Sequence, residues 1–236
     1  MDKRCVVICD SGIGGLRLLK NLERRFPCEN FVYFADYKNL PYGEKSKREL
    51  FDIAESIYKR AMAFSPKLIV FACNTLSTNV LPSWELKSVP IVGVFPEVAK
   101  GKGLLLCTES TAKSEYVLGL KSKNLALDVV AMKGLASQIE NAVRFGGEID
   151  LESLDGALFN DYDYVSLGCT HYAYAEKYLR KKFKNKPFIS GEKTTFDKIE
   201  FFLTTYDTQK CSGGVSIVGS ECDFLKTLYN QGIFII

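Results

Sequence analysis

The sequence contains a single histidine among its 236 residues, and none of its eight cysteines forms a CxxC pair. Zinc sites of the usual spacing draw several ligands from histidines and closely spaced cysteines, and thioredoxin-like redox proteins require the CxxC pair. The sequence therefore argues against both kinds of site.

Long apolar runs and a strong charge of one sign are absent as well. No run approaches the ~20 apolar residues that a membrane span requires, and residues 1–26 mix charged with apolar side chains, unlike a signal peptide. The 31 basic and 28 acidic side chains leave a net charge of +3, too small to indicate nucleic-acid binding. We expect a cytoplasmic protein with no membrane and no nucleic-acid partner.

The composition that is present, 47% hydrophobic and 25% charged, is typical of a soluble globular protein. Because nothing in the sequence indicates secretion, we predict that the cysteines are free thiols and that most of them are small buried hydrophobes. They stand at positions 5, 9, 28, 73, 107, 169, 211 and 222.

Short apolar or β-branched runs alternate with helical stretches along the chain. The predicted strands are Val6–Cys9, Phe31–Ala35, Leu68–Ala72, Ile91–Val94, Leu104–Cys107, Leu127–Ala131, Tyr164–Leu167, Phe188–Ser190 and Val215–Val218. A helix before Pro66 is predicted to place Leu50, Ala54, Ile57, Ala61 and Phe64 on one face. This alternation predicts an α/β fold with mostly parallel sheets.

Two domains are favoured over one broad sheet, because Pro96 and the sequence KGKG at 100–103 interrupt the series after the fourth strand. Two segments also look alike: LIVFACNT (68–75) and YVSLGCTH (164–171) each run from an apolar strand to a cysteine and then to polar side chains. Each thiol would lie at the carboxyl end of a strand, where ligands bind in parallel α/β sheets.

The stretch CDSGIGGL (9–16) follows the first strand and opens a helix, so its glycines and free backbone N–H groups could hold an anion. It is not a GxGxxG motif, because Arg17 stands at the third glycine position. Asp10 would repel an anion, which suggests that it meets an ammonium group. The alternative is that Asp10 or Ser11 simply caps the helix.

A thiol at a helix amino terminus has its pKa lowered by the helix dipole, and His171 could exchange a proton with Cys169. Either cysteine alone could equally be a buried structural residue. Together, two equivalent thiols suit one reaction, in which a proton leaves one face of a carbon and another returns on the opposite face. That reaction is a racemisation.

The motifs DSGIGGL (10–16), PYG (41–43), ACNT (72–75) and LGCTHY (167–172) strongly resemble those of the cofactor-independent glutamate racemases of the aspartate/glutamate racemase superfamily. The resemblance implies two pseudosymmetric α/β domains with the active site in the cleft between them, and no cofactor or metal. It also implies that the chain returns to its first domain, giving predicted domains of 1–95 plus 191–236, and 96–190. The implied partner is a small molecule, glutamate; a homodimer stays open.

By this resemblance, Cys73 and Cys169 are the two acid/base residues, with Asp10 and His171 as their proton and charge partners. The residues that would hold the carboxylates and the amino group are Asp10, Ser11, Pro41, Tyr42, Gly43, Asn74, Thr75, Thr111, Thr170 and His171. The proposed product is D-glutamate for bacterial cell-wall synthesis.

Departures from the family pattern lie mainly in the middle of the chain. The usual GTxGT segment is CTEST (107–111), which keeps Thr108 and Thr111, and a family glutamate is matched only weakly by Glu140. Tyr37 stands where a threonine is usual, and Ala173 where a proline is usual.

Three alternatives stay open at this point. An aspartate racemase of the same superfamily would keep both cysteines, but it generally carries a glutamate in place of His171. A non-catalytic anion-binding module would have structural cysteines, and a thiol redox protein would have an exposed, reactive one.

Overall fold

The protein is described by a computed structural model, which covers residues 4–152, 154, 161–204 and 213–232. Two sheets of parallel strands, flanked by helices, make up the fold. The strands are β1 (Val6–Asp10), β2 (Asn30–Ala35), β3 (Leu68–Phe71), β4 (Ile91–Gly93), β5 (Gly103–Cys107), β6 (Leu127–Ala131), β7 (Tyr164–Gly168), β8 (Phe188–Ser190) and β9 (Gly214–Val218). The α-helices are α1 (Leu16–Arg25), α2 (Lys47–Met62), α3 (Asn74–Val80), α4 (Glu109–Ala112), α5 (Glu115–Lys123), α6 (Leu135–Phe145), α7 (Glu176–Lys182), α8 (Glu192–Thr204) and α9 (Cys222–Gln231).

The first sheet has the strand order β4-β3-β1-β2-β9 and the second has the order β6-β5-β7-β8. All nine predicted strands are present, with bounds that differ from the prediction by at most one residue at either end. The inner strands β1, β3, β5 and β7 are buried along their whole length, which explains why their sequences are apolar on both faces. The predicted α/β fold with two domains is confirmed.

After the second sheet, the chain returns to the first one. Strand β9 pairs in parallel with β2, with Asn30 opposite Gly214, and α8 packs against α1 and β4. The predicted domain boundaries at 95/96 and 190/191 stay predictions. Residues 205–212 and 233–236 of the predicted returning segment lie outside the described residues, and so does Cys211.

Helix α2 begins with a capping box, in which the Ser46 hydroxyl accepts a hydrogen bond from the backbone N–H of Glu49 and the Glu49 carboxylate accepts one from the backbone N–H of Ser46. Its buried face includes Leu50 and Ile57, as the spacing predicts. The prediction is wrong for Phe64, because the helix ends at Met62 and Phe64 is 40% exposed.

The seven cysteines within the described residues form no disulfides, as predicted. Within the same ranges, no helix is both long enough and apolar enough to cross a lipid bilayer.

Candidate active site

The two cysteines Cys73 and Cys169 occupy equivalent places in the two sheets. Cys73 lies just beyond β3 and directly precedes α3, while Cys169 directly follows β7 and precedes a short 3₁₀ turn, Thr170–Ala173. Strands β3 and β7 are parallel to their neighbours, so each thiol lies at the carboxyl edge of its sheet. Both side chains are nearly buried, at 6% and 7% exposure.

The environment of Cys73 is acidic and lacks a histidine of its own. Burial raises the pKa of the Cys73 thiol well above its usual range, and the negative charges of Asp10 and Cys169 raise it further. The backbone N–H groups of Leu76 and Thr75 offset part of this rise. The expectation of a thiol pKa lowered by a helix dipole is therefore wrong for Cys73, because burial and the Asp10 charge outweigh the contribution of a seven-residue helix.

Cys169 has a different partner, the imidazole of His171, whose pKa it raises. On its other side, Nε2 of His171 lies 2.9 Å from Oε2 of Glu140. Burial by itself lowers the pKa of His171, but the contacts with Cys169 and Glu140 raise it well above its usual value. The structure thus contains a buried Cys169–His171–Glu140 series, and the imidazole in it favours its protonated form.

Glu140 is the buried carboxylate that completes this series, at 1% exposure. Besides His171, it accepts hydrogen bonds from the backbone N–H of Ile13 (3.0 Å) and the hydroxyl of Tyr37 (2.6 Å). Burial raises its pKa, but the hydrogen bonds from His171, Tyr37 and Ile13 outweigh burial and hold that pKa below its usual range. A carboxylate with so many donors remains charged in the interior.

Asp10 is the last residue of β1 and is fully buried. It accepts hydrogen bonds from the backbone N–H of Ser11 (2.7 Å) and the hydroxyl of Thr170 (3.2 Å). Burial raises its pKa, while the charge of His171 lowers it. Helix α1 begins only at Leu16, and its N-cap residue, Gly15, makes no side-chain capping bond, so neither Asp10 nor Ser11 caps the helix.

The glycine-rich loop after Asp10 passes directly against the second domain. A Cβ atom at Gly14 would lie 2.4 Å from Oγ1 of Thr170, 2.7 Å from Oδ2 of Asp10 and 2.9 Å from Nδ1 of His171. Only a glycine fits there without displacing these groups. The buried hydroxyls of Tyr33 and Tyr174 fix the loop by donating to the carbonyls of Gly12 and Ile13.

Three threonine hydroxyls meet across the cleft on the other side of the site. Oγ1 of Thr75 lies 2.9 Å from Oγ1 of Thr108 and 3.2 Å from Oγ1 of Thr111, and the latter two are 2.9 Å apart. Gly43 packs directly on Thr108, since a Cβ at Gly43 would lie 2.7 Å from that of Thr108. The diverged segment 107–111 therefore still presents two buried hydroxyls to the first domain.

Other predicted binding residues lie in the same region, and some of their polar groups form hydrogen bonds within the protein. The Tyr42 hydroxyl donates to Asp36 (2.8 Å), and the Asn74 amide donates to the carbonyl of Val94 (3.3 Å). Pro41 precedes Tyr42 and follows a cis peptide bond.

A cavity of about 240 Å³ adjoins Cys169. Gly14, Asn74 and Thr170 also line it, and Arg17 and Arg180 lie among its charged residues. A larger cavity, of about 400 Å³, lies among Lys45, Thr78 and Ser110 and is lined by neither thiol, so we assign no part of the site to it.

Known proteins of similar sequence include several glutamate racemases. The chain is 32% identical over 220 residues to the glutamate racemase of Buchnera aphidicola from Schizaphis graminum, covering 84% of each chain. It is also 31% identical over 242 residues to the glutamate racemase of Clostridium botulinum, covering 94% of each. The chain belongs to the glutamate racemase family.

Solved glutamate racemases share the fold. The enzyme of Bacillus anthracis superposes with a TM-score of 0.80 at 24% identity, covering 98% of this chain and 94% of that one. The Escherichia coli glutamate racemase, solved with L-glutamate and an activator, also gives a TM-score of 0.80, at 23% identity, covering 98% and 97%. No protein-family model matches the chain.

The structure adds two residues to the predicted set around His171, and the sequence pattern indicates neither of them clearly. Glu140 matches the family pattern only weakly, yet it contacts His171, and Tyr37 departs from that pattern, yet it contacts Glu140. The one available signal for Tyr37 was its place just after a predicted strand.

Within the described residues, no three His, Cys, Asp or Glu side chains are grouped as a metal ion would require. That the reaction needs no metal and no cofactor stays a prediction.

Proposed function

We propose that this protein interconverts L-glutamate and D-glutamate by moving protons at the α-carbon with two cysteines, and that it supplies D-glutamate for peptidoglycan synthesis. One observation carries the proposal: two buried thiols follow equivalent strands of two sheets, each with its own titratable partner. Relatives named glutamate racemase support glutamate, rather than aspartate, as the substrate.

In this proposal the substrate lies between Cys73 and Cys169. One sulfur, as thiolate, removes the α-proton from its face, and the other, as thiol, returns a proton to the opposite face. The roles reverse for the other enantiomer. His171 supplies and accepts the proton on the Cys169 side, and Glu140 holds the imidazole in place.

The charged groups of glutamate have matching partners in the cleft. The Asp10 carboxylate is the counter-ion for the ammonium group. The hydroxyls of Thr75 and Thr111, together with Ser11, Asn74, Thr170 and the Pro41–Gly43 backbone, hold the two carboxylates. Because the three threonine hydroxyls now bond to one another, a bound carboxylate would replace those bonds without leaving a buried hydroxyl unpaired.

The test is incubation of the cofactor-free protein with L-glutamate in heavy water, followed by optical rotation and the α-proton NMR signal. We expect rotation to decay to zero while deuterium enters the α-position, and a much slower reaction with L-aspartate. Replacing Cys73 or Cys169 by serine should slow racemisation by about 100-fold or more while glutamate still binds. Unchanged rotation with the wild-type protein would exclude the proposal, and binding without turnover would indicate a non-catalytic module.

A cytoplasmic location stays a prediction, and a homodimer stays open.

A further inference from the structure

Tyr37 is a side chain of the first domain that reaches the buried proton partners of Cys169 in the second. We propose that Tyr37 is a positioning residue: its hydroxyl fixes the Glu140 carboxylate, and Glu140 in turn fixes His171 against Cys169. The catalytic consequence rests on the proposed function, whereas the series of contacts can be tested without turnover.

The contacts form a continuous series. The Tyr37 hydroxyl donates to Oε1 of Glu140 at 2.6 Å, and Oε2 of the same carboxylate lies 2.9 Å from Nε2 of His171. Each carboxylate oxygen therefore has its own partner, and together the two bonds fix both the position and the rotation of the carboxylate plane. Hydrogen bonds to a charged acceptor are the strong ones, so losing one should be measurable.

Tyr37 is itself held in place by α6 and α9. The Arg144 guanidinium lies 5.2 Å from the centre of the Tyr37 ring and 5.2 Å from that of Phe224, and it forms an ion pair with Glu221. An arginine over aromatic rings and paired with a carboxylate has little freedom to move. The ring of Tyr37 is thus fixed independently of its hydroxyl, and a phenylalanine there would keep the ring contacts.

The series also depends on how the two domains meet. Tyr37 follows β2 and Ile13 follows β1, so two of the three donors to Glu140 come from the first domain, while Glu140 and His171 belong to the second. If the domains moved apart, Glu140 would lose both of these donors at once. The position of His171 beside Cys169 is therefore coupled to closure of the cleft.

The first test compares Tyr37→Phe with Tyr58→Phe. The control removes the same atom from α2, where the Tyr58 hydroxyl contacts Ser88 at the surface. We expect Tyr37→Phe to lower kcat by about tenfold, because one hydrogen bond to a charged group is lost, and to leave KM nearly unchanged, because Tyr37 does not line the cavity beside Cys169. Tyr58→Phe should match the wild type. Equal kcat values for all three proteins would overturn the proposal.

A double-mutant comparison separates positioning from general damage to the fold. If Tyr37 acts only through Glu140, then Tyr37→Phe should have no further effect on kcat in a Glu140→Gln background. If the two losses multiply instead, Tyr37 acts by another route and the proposal is wrong.

A second readout uses the fact that His171 is the only histidine in the sequence, so its ring NMR signals need no assignment. Titratable groups face it from three elements: Cys169 beside it, Glu140 from α6 and Asp10 from the end of β1. Since Glu140 raises the His171 pKa, Glu140→Gln should move the imidazole titration to lower pH. Tyr37→Phe should move it in the same direction by less, and Tyr58→Phe should not move it.

An unchanged titration in Tyr37→Phe, together with a shifted one in Glu140→Gln, would reject the positioning role. This measurement decides the point even if the wild-type protein does not racemise glutamate, in which case the proposed function alone fails.

Discussion

Cys73 and Cys169 occupy matching places in two similar sheets, yet their surroundings differ. Cys73 has the Asp10 carboxylate and two backbone N–H groups, whereas Cys169 has an imidazole supported by Glu140. The strand-to-cysteine geometry is repeated by the fold, but the titratable neighbours of the two thiols come from elements that do not correspond. Asp10 ends β1, whereas His171 lies in a 3₁₀ turn and Glu140 in α6. Under the proposed function, two thiols at equivalent positions would carry out the same proton transfer with different neighbouring groups.

Among changes to the surroundings of the two thiols, the largest expected effect comes from removing the partner that only Cys169 has. His171→Asn should slow racemisation by about 100-fold, because it removes an acid/base group from one face alone. The different surroundings of the two thiols lead to a second expectation for this variant. The enantiomer deprotonated by Cys73 should still exchange its α-proton with heavy water while keeping its configuration. NMR of each enantiomer, incubated separately, measures this. Equal loss of exchange from both would show that the two faces are not independent.

A smaller effect is expected where the first domain touches the partners of Cys169. Gly14→Ala should cost about 1–3 kcal/mol of unfolding free energy, because the added methyl group collides with Thr170, Asp10 and His171. Gly119→Ala is the matched control: it lies within α5 with no neighbouring atom in reach of a Cβ, so it should stabilise the protein by about 0.5–1 kcal/mol. Urea unfolding measures the free energy of unfolding of both variants. Similar free energies would mean that the loop shifts to make room for the methyl group at little cost.

The smallest expected effect concerns the partner of Cys73. The Asp10 charge raises the pKa of the Cys73 thiol, so Asp10→Asn should lower that pKa and let the thiolate form at lower pH. The measurement is the rate at which iodoacetamide alkylates Cys73 at different pH values, followed by mass spectrometry of the peptide that contains this residue. In Asp10→Asn, the pH at which this rate is half-maximal should be lower than in the wild type. Asp52→Asn, at an exposed position on α2, should not move it. A midpoint that stays in place would mean that Asp10 is neutral in the free protein.

The strands and both thiols could be predicted from the sequence because their signals are local. A buried parallel strand such as β3 or β7 is an unbroken apolar run, and its cysteine follows directly. The limit of such reasoning shows at Phe64, whose spacing fits the helix although α2 ends two residues earlier.

The residues that support His171, Glu140 and Tyr37, could not be predicted in the same way. Tyr37 and Glu140 are far apart in sequence and come together only when the two domains dock, so no spacing in either segment indicates the contact. The raised pKa of Cys73 likewise depends on how deeply the folded cleft buries the sulfur, which a strand-and-helix pattern does not contain.

The pairing of β9 with β2 has a consequence for synthesis on the ribosome. The second sheet has emerged in full once β8 is made, but the first still lacks one of its outer strands. Until residues 214–218 arrive, β2 presents an open row of backbone donors and acceptors, the kind of edge on which nascent chains aggregate. This half of the molecule begins first and is finished last, so it is the half whose sheet keeps an unpaired strand edge for longest during synthesis.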